Sequence, residues 1–248
     1  MSEDIKITLP NGSVINAHKG QSVYDVIGAI GAGLQKAALA ARLDNADVDL
    51  SYKVTSDANL IVHTFKTPEG KEIFWHSGSH LMAQAVKRLF PKAKLAIGPA
   101  IDMGFYYDFD LEHAFTPEDL ERIEEEMKKI VAENLEITRE DMKRSDAIEL
   151  FSKNGETYKV ELLKELDADM VSIYRQGEFF DLCRGPHVSR TSVLAAFKLL
   201  NIAGAYWRGD EKNRMLQRIY GITFPDAKQL AAHLEFLEEA KKRDHRKL

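Results

Sequence analysis

The sequence has one cysteine and no long apolar run, and both shortages narrow the classes of protein it can be. Cys183 is the only cysteine among 248 residues, so no internal disulfide can form, as is typical of proteins in a reducing cytoplasm. No run of eighteen apolar residues exists, which excludes a transmembrane helix. The first residues, Met1-Ser2-Glu3-Asp4-Ile5, lack the basic and apolar segments of a secretory signal. We therefore expect a cytoplasmic protein without a membrane partner.

A strong excess of positive charge is also missing. The net charge is −5, with 29% charged residues, so the surface as a whole is not typical of nucleic-acid binding. Basic residues do cluster over residues 208–218 and again over 241–247. A solvated helix face explains the second cluster as well as phosphate contact does. Composition therefore neither supports nor excludes RNA binding. With 44% apolar residues, the chain can build one or two domains.

Two short motifs carry most of the chemical information, His76-Ser-Gly-Ser-His80 and Cys183-Arg-Gly-Pro-His187. Residues four apart on a helix share one face, so a helical first motif directs two imidazoles at the same volume. Three histidines and a thiol that converge form either a zinc site or a metal-free site that activates water, with Lys159 and Asp181 as helpers. Each motif alone also has an ordinary structural explanation, since a lone thiol is usually a buried apolar group. Spacing leaves these alternatives open.

The order of turns and apolar positions predicts an α+β protein with two modules and a terminal helix. Residues 1–65 contain short strands around one helix, with a hairpin turn at Asn11-Gly12. The helix is predicted from the N-cap Ser22 to Ile30, ended by Gly31 and Gly33. This order resembles a small, half-open ubiquitin-like sheet.

A larger α+β module is predicted over residues 66–224, and it contains both motifs. Its segments are a polar link over 66–71, helices over 74–90 and 116–134, and strands over 94–101, 104–109, 204–208 and 215–224. An amphipathic helix then runs from Pro225-Asp226 to Leu248 without a stop signal, so we expect that a larger protein continued beyond it.

Further motifs give the chain a family resemblance. The two motifs above occur together with Ala96-Ile97-Gly98-Pro99, Gly104-Phe105-Tyr106-Tyr107-Asp108, Tyr158-Lys159-Val160, Asp181-Leu182, Ala205-Tyr206-Trp207-Arg208-Gly209-Asp210 and Arg243-Asp244-His245-Arg246-Lys247. In this order they resemble bacterial threonyl-tRNA synthetases over essentially the whole chain. The resemblance implies a β-grasp TGS domain over 1–65, an editing domain over 66–224 and a linker helix over 225–248. The catalytic domain, with its ATP site and zinc, and the anticodon-binding domain would follow.

The resemblance also implies a reaction, the hydrolysis of mischarged Ser-tRNA(Thr) at its 3′ acceptor end. Serine lacks one methyl of threonine, and one methyl is worth only about 1–3 kcal/mol of discrimination, so a second sieve is needed. This amino-terminal fragment would not ligate threonine by itself. We expect it to be a monomer, whereas the full-length protein would be a homodimer.

Site roles follow from the same resemblance. His76 would orient or deprotonate the attacking water, and Lys159 would hold that water or stabilise the oxyanion. Asp181 would pair with the ammonium group of the substrate. Tyr107 and His80 would shape the pocket against the threonine methyl.

Cys183 and His187 would line the ester and ribose side of this pocket. The related alanyl editing domains use the same residue pattern to bind zinc. The threonyl family's editing site is regarded as metal-free, so we expect no metal, with zinc on His76, His80, Cys183 and His187 as the second option.

Two alternatives from other classes stay open. The chain could be a tRNA-binding or regulatory module, although a pure binding module has no need of a thiol and three imidazoles. It could instead be a free-standing deacylase that edits in trans, although the helix that runs to Leu248 without a stop signal is untypical of that. The role of the first module is not readable from its residues.

Overall fold

The structure, a computed structural model, describes residues 4–244, and the predicted motif and helix segments from His245 onward lie outside the described residues. The α+β class is confirmed, because helices and strands are mixed along the chain. In chain order the elements are β1 (Asp4–Thr8), β2 (Val14–His18), α1 (Val23–Ile30), α2 (Ala32–Ala37), β3 (Ala38–Leu43), β4 (Ala46–Val48), β5 (Ala58–Thr64), α3 (Pro68–Leu89), β6 (Lys94–Leu95), β7 (Ala100–Ile101), β8 (Gly104–Asp110), α4 (Pro117–Glu133), β9 (Ile137–Lys143), α5 (Arg144–Lys153), α6 (Thr157–Glu165), β10 (Met170–Gln176), β11 (Phe179–Leu182), β12 (Ala196–Tyr206), β13 (Met215–Phe224) and α7 (Ala227–Asp244).

The described chain divides into two compact units. The first unit contains the residues up to Ser77 together with residues 135–191, and the second contains residues 78–134 and those from Ser192 onward. Helix α3 begins in the first unit and ends in the second. Among residues 4–244, no helix has the length and apolar character that crossing a membrane requires.

The first unit begins with the predicted ubiquitin-like sheet. Its five strands lie in the order β2-β1-β5-β3-β4, with β1 and β5 parallel and the other neighbours antiparallel. Ser22 is the N-cap of helix α1, and its hydroxyl accepts the Asp25 N–H; the apolar face of α1 lies in the core of this sheet. The predicted end of α1 at Ile30 is confirmed, since Gly31 is its C-cap and the Gly31 N–H donates to the Ile27 carbonyl. The sequence does not predict helix α2, which begins directly after Gly31 and contains Gly33, a residue that the sequence predicts as part of the stop.

The rest of the first unit is a three-stranded antiparallel sheet in the order β11-β10-β9. Helices α5 and α6 close a small apolar core against it, formed by Ala147, Phe151, Leu163, Val171 and Ile173. Strand β11 ends at Leu182, directly before Cys183. The second motif therefore begins directly after the end of a sheet strand.

The second unit has a sheet in the order β12-β13-β8-β6, with β7 also paired to β8. Strand β13 is fixed to β8 by the guanidinium of Arg218, which donates to both oxygens of Asp108 at 2.8 and 2.9 Å. The predicted helix α4 begins with a capping box formed by Thr116 and Asp119. Strand β8 pairs with β13, β6 and β7 and is therefore an internal strand of this sheet.

Three predicted boundaries differ from the structure. The helix predicted from residue 74 starts six residues earlier, because Pro68 occupies its first turn and the Thr67 hydroxyl accepts the Gly70 N–H. The single strand predicted over 94–101 is two short strands, since Pro99 between them has no N–H to donate. The strand predicted over 204–208 begins at Ala196 and ends at Tyr206.

Candidate functional site

Helix α3 carries the first motif, with His76 and His80 one turn apart. Between them, the Ser77 hydroxyl donates to the main-chain carbonyl of Ile73 at 2.8 Å. Ser77 has no exposed surface, so every polar contact of its hydroxyl is made inside the protein. The predicted helical placement of this motif is therefore present.

The second motif lies in a loop that starts at the end of β11. The Cys183 N–H donates to the Ser172 carbonyl, and the Gly185 N–H donates to the Cys183 sulfur at 3.2 Å. Gly185 has a φ of 69°, and a Cβ on it would lie 1.8 Å from the hydroxyl oxygen of Tyr174. Only glycine fits both this conformation and this space. The loop therefore turns tightly enough to bring His187 back onto Cys183.

The four motif side chains converge. The possible ligand atoms of His76, His80, Cys183 and His187 all lie within 4.8 Å of one another. The Cys183 Sγ lies 3.1 Å from His187 Nε2 and 3.7 Å from His76 Nε2. The sequence expectation that these two motifs meet is matched by this geometry.

Ser77 fixes the proton arrangement on His187. Its hydroxyl has one proton, which it donates to Ile73, so it accepts from its other neighbours. Those neighbours are the Val188 N–H at 3.1 Å and His187 Nδ1 at 2.9 Å. His187 therefore carries its proton on Nδ1 and presents the Nε2 lone pair to the Cys183 thiol. The hydrogen bond with Ser77 therefore fixes both the position and the tautomer of the His187 ring.

Burial keeps two members of the cluster uncharged at neutral pH. Loss of solvent lowers the pKa of His76 to about 4, while Asp181 raises it and Lys159 lowers it further by their charges. Loss of solvent also raises the pKa of Cys183 to about 12, against the Gly185 N–H, which lowers it. His76 is thus a neutral imidazole that is hard to protonate, and Cys183 is a thiol rather than a thiolate.

Lys159 and Asp181 form a buried ion pair beside the cluster. Lys159 lies on α6 and Asp181 on β11, and Nζ is 2.7 Å from Oδ1. Both residues are at least 97% buried, so this pair lies in a region of low dielectric constant. Their charges are close enough to act on the pKa of His76 and of Cys183. Asp181 thus already has an internal cation, which a substrate ammonium would have to share.

Tyr107, the remaining predicted site residue, lies on β8 in the second unit. It is fully buried, its ring is stacked on Phe109 at 5.0 Å, and it fills the space over Gly98. A Cβ at Gly98 would lie 2.0 Å from the ring, so Tyr107 and Gly98 are matched in shape.

The ligand atoms of the cluster are of the types that bind zinc in proteins. Tetrahedral zinc sites combine imidazole nitrogen with thiolate sulfur, and this cluster offers three nitrogens and one sulfur. The hydrogen bond from His187 to Ser77 is the kind of outer contact that orients a zinc-binding imidazole. Zinc would have to displace the thiol proton, because Cys183 is otherwise protonated at neutral pH.

A cavity of about 720 Å³ opens beside Cys183 in the first unit. Its wall is mostly apolar, with Leu162, Leu166 and Met170; Arg184 adds a positive charge, whereas Arg139 is paired with Asp141, also in the wall, at 2.9 Å. A wall of this composition suits a largely apolar ligand that also has a polar part.

Sequence reasoning missed three residues that build this site. Ser77 lies inside the first motif, and a hydroxyl between two histidines is a usable signal. Asp49 and Tyr174 had no signal, because their contacts with the second motif join distant segments of the chain. Asp49 accepts from both the His187 N–H and the Tyr174 hydroxyl.

Comparison with known proteins agrees with the motifs. Residues 5–64 match the family model of the TGS domain, and residues 171–220 match that of the threonyl and alanyl tRNA synthetase second additional domain. The threonine–tRNA ligase of Citrifermentans bemidjiense is 57% identical over 99% of this chain and 38% of its own length. That of Pelobacter propionicus is 57% identical over 98% of this chain and 38% of its own. For Carboxydothermus hydrogenoformans the values are 56%, 98% and 39%.

The resemblance that the motifs indicate is thereby confirmed, together with the TGS and second additional domains it implies. The chain spans only 38–39% of the length of these curated relatives.

Proposed function

Because the chain aligns almost end to end with threonine–tRNA ligases, we propose that it hydrolyses the ester of mischarged Ser-tRNA(Thr). A longer protein containing it would attach threonine to tRNA(Thr) with ATP, using a zinc-containing catalytic domain. The observation that carries the editing proposal is the convergence of His76, His80, Cys183 and His187 next to a buried Lys159–Asp181 pair.

Water, and not the thiol, is the proposed nucleophile. A thiol with a pKa of about 12 is almost wholly protonated at neutral pH, so covalent attack by Cys183 would be slow. In the proposed step the water oxygen bonds to the ester carbonyl carbon, and the bond to the ribose oxygen breaks. The ribose oxygen takes a proton, which leaves free serine and deacylated tRNA.

His76 suits an orienting role better than a strongly basic one. A base works best when its pKa lies near the working pH, and burial lowers the pKa of His76 to about 4. Its neutral ring can still accept a hydrogen bond from water. The ammonium of Lys159 is a fixed positive charge for the oxyanion that forms, in a region where such a charge acts strongly.

Selectivity against threonine is proposed to come from His80 and Tyr107. A rigid wall excludes a methyl better than a soft one, and Tyr107 is fully buried and packed over Gly98. Asp181 would hold the substrate ammonium. The sieve has to supply only the energy of one methyl, about 1–3 kcal/mol.

A zinc-dependent hydrolase is the second candidate, and the donor set favours it. In that case His76, His80, Cys183 and His187 would hold the ion, which would supply an activated water. We favour the metal-free reaction, in which the neutral ring of the half-buried His76 orients the water. A chelator separates the two, because only the zinc enzyme would lose activity and regain it with added zinc.

The partner is proposed to be the 3′ acceptor end of tRNA(Thr), with the chain acting as a monomer in the cytoplasm. A longer protein would act as a homodimer. A deacylase acting in trans would show the same chemistry, and a pure tRNA-binding module would bind the tRNA without releasing serine.

The test is single-turnover hydrolysis of Ser-tRNA(Thr) by the chain and by single variants. His76→Ala should slow release of serine by about 10²-fold, the cost of a reacting water that is no longer oriented. His18→Ala is the matched control, because His18 is an exposed histidine of the first sheet that pairs with Asp4. An unchanged rate for His76→Ala would remove it from the mechanism.

A further inference from the structure

Asp49 lies in the first module, residues 1–65, yet its carboxylate contacts the loop of the second motif, residues 183–187. Its Oδ1 accepts the His187 N–H at 2.9 Å, and its Oδ2 accepts the Tyr174 hydroxyl at 2.7 Å. The contact to His187 joins residues 138 positions apart. Both oxygens of one carboxylate are therefore used on the site, by hydrogen bonds that its charge strengthens.

The backbone of Asp49 is held firmly by the module that carries it. Asp49 follows β4, and its carbonyl accepts the Tyr52 N–H at 3.0 Å. The next residue, Leu50, is buried in the core of the first sheet, and its carbonyl accepts the Tyr24 N–H. The carboxylate thus projects from a rigid support.

The loop that receives this carboxylate is held by hydrogen bonds to neighbouring residues and not by a helix or a strand of its own. Residues 183–187 belong to no helix or strand, and the chain turns at Gly185. Tyr174 holds the loop from the side, because its ring lies 4.5 Å from that of His187 and its hydroxyl occupies the space beside Gly185. Asp49 therefore restrains His187 directly at its main chain and indirectly through Tyr174.

We propose that Asp49 is a positioning residue for the editing site, and that the first module thereby sets the geometry of His187. The predicted effect of Asp49 on the reaction rate rests on the proposed deacylase function. The predicted effect of Asp49 on the position of the His187 ring does not. With its main chain held by Asp49 and its Nδ1 held by Ser77, the imidazole keeps Nε2 facing Cys183. The first module then contributes to catalysis without touching the substrate.

A simple docking contact is the competing explanation, and it makes a different prediction. If Asp49 only fastened the first module, its loss would lower stability and leave the chemical step intact. If it positions His187, its loss lowers kcat with little change in KM, because the substrate still binds but meets a displaced ring.

The experiment compares Asp49→Asn, Asp49→Ala and Tyr174→Phe with the control Asp47→Asn. Asp47 is matched because it is a carboxylate of the same module whose partners, Arg42 and His63, belong to that module. Asp49→Asn retains one oxygen that can accept from His187, so it should be milder than Asp49→Ala. For Asp49→Ala we expect kcat to fall about 10–100-fold with little change in KM, measured at a temperature at which the variant is still fully folded, because the loss of two buried hydrogen bonds also lowers its thermal stability.

A second measurement keeps the two proposals separable. Nitrogen NMR of the His187 imidazole reports whether Nδ1 still carries the proton shared with Ser77, whatever the chain hydrolyses. A shifted signal and a lowered kcat support the positioning role. An unchanged signal in Asp49→Ala, or a kcat no lower than in Asp47→Asn, overturns it. If the unmodified chain releases no serine, the function proposal fails, and the His187 signal alone decides the role of Asp49.

Discussion

At the scale of single residues, the cluster depends on which atoms carry protons. Ser77 donates to Ile73, so it accepts from His187, and His187 can then accept from the Cys183 thiol. This chain of three groups leaves a neutral, ordered surface for a water molecule. Substitution of any of these three residues should therefore change both the free energy of unfolding and the rate of hydrolysis.

Removal of the Ser77 hydroxyl tests this arrangement. In Ser77→Ala the Val188 N–H and the His187 Nδ1–H lose a buried acceptor, at a cost of about 1–3 kcal/mol for each group left unsatisfied. Ser79→Ala is the control, because it removes another buried hydroxyl of the same helix, one that donates to the Gly98 carbonyl at 2.7 Å. Urea unfolding should show the larger loss for Ser77→Ala. Equal losses would contradict the acceptor role.

The low pKa of His76 predicts a pH dependence of stability. Its pKa is about 4 in the folded chain and about 6.5 in the unfolded chain, so the unfolded state binds more protons between these values. The contribution is complete above pH 6.5 and is lost as the pH falls toward 4. Between pH 7 and pH 5, with chelator present, the chain should lose about 2 kcal/mol more unfolding free energy than His76→Gln.

Urea unfolding at both pH values gives this difference directly. Identical pH dependence in the two proteins would mean that His76 is not desolvated as described.

The reactivity of Cys183 gives a third test at this scale. A pKa of about 12 leaves very little thiolate at pH 7.5, so alkylation in the folded chain should be at least about 10²-fold slower than in the urea-unfolded chain. The rate should still be rising with pH at pH 10. Fast alkylation at neutral pH would show that Cys183 is a thiolate and could act as the nucleophile.

At the scale of elements, helix α3 explains why part of the site could be predicted. The four-residue spacing of His76 and His80 places two imidazoles on one face once the segment is helical, and this needs only local information. The glycine within the motif needs more. A Cβ at Gly78 would lie 2.7 Å from the Phe105 ring and 2.8 Å from Thr223, contacts that no sequence pattern announces.

Gly78→Ala therefore tests the packing of α3 in the second unit. Alanine normally favours a helix, but here the added methyl overlaps buried side chains, and such overpacking costs about 1–3 kcal/mol. Gly33→Ala is the matched control, because Gly33 lies within α2 with open space around its Cβ position. It should be neutral or stabilising by up to about 1 kcal/mol. Thermal unfolding of both variants checks the opposite signs.

At the scale of the whole molecule, the site is assembled from segments far apart in the chain. The motifs predicted that residues 76–80 and 183–187 meet, because the residue types pointed to one chemistry. Asp49 could not be predicted, since nothing in a single aspartate after a short strand indicates that it accepts the His187 N–H. Local patterns specify helices and turns, whereas a contact across 138 positions depends on the folded topology.

The decisive experiment is hydrolysis of Ser-tRNA(Thr) beside Thr-tRNA(Thr) by this chain at high concentration. We expect serine to be released and threonine to be retained, with a ratio of the two rates of about 10–200, the range that one methyl can supply. The same ratio should persist with chelator. Release of both amino acids at one rate, or of neither while the tRNA is bound, would contradict it.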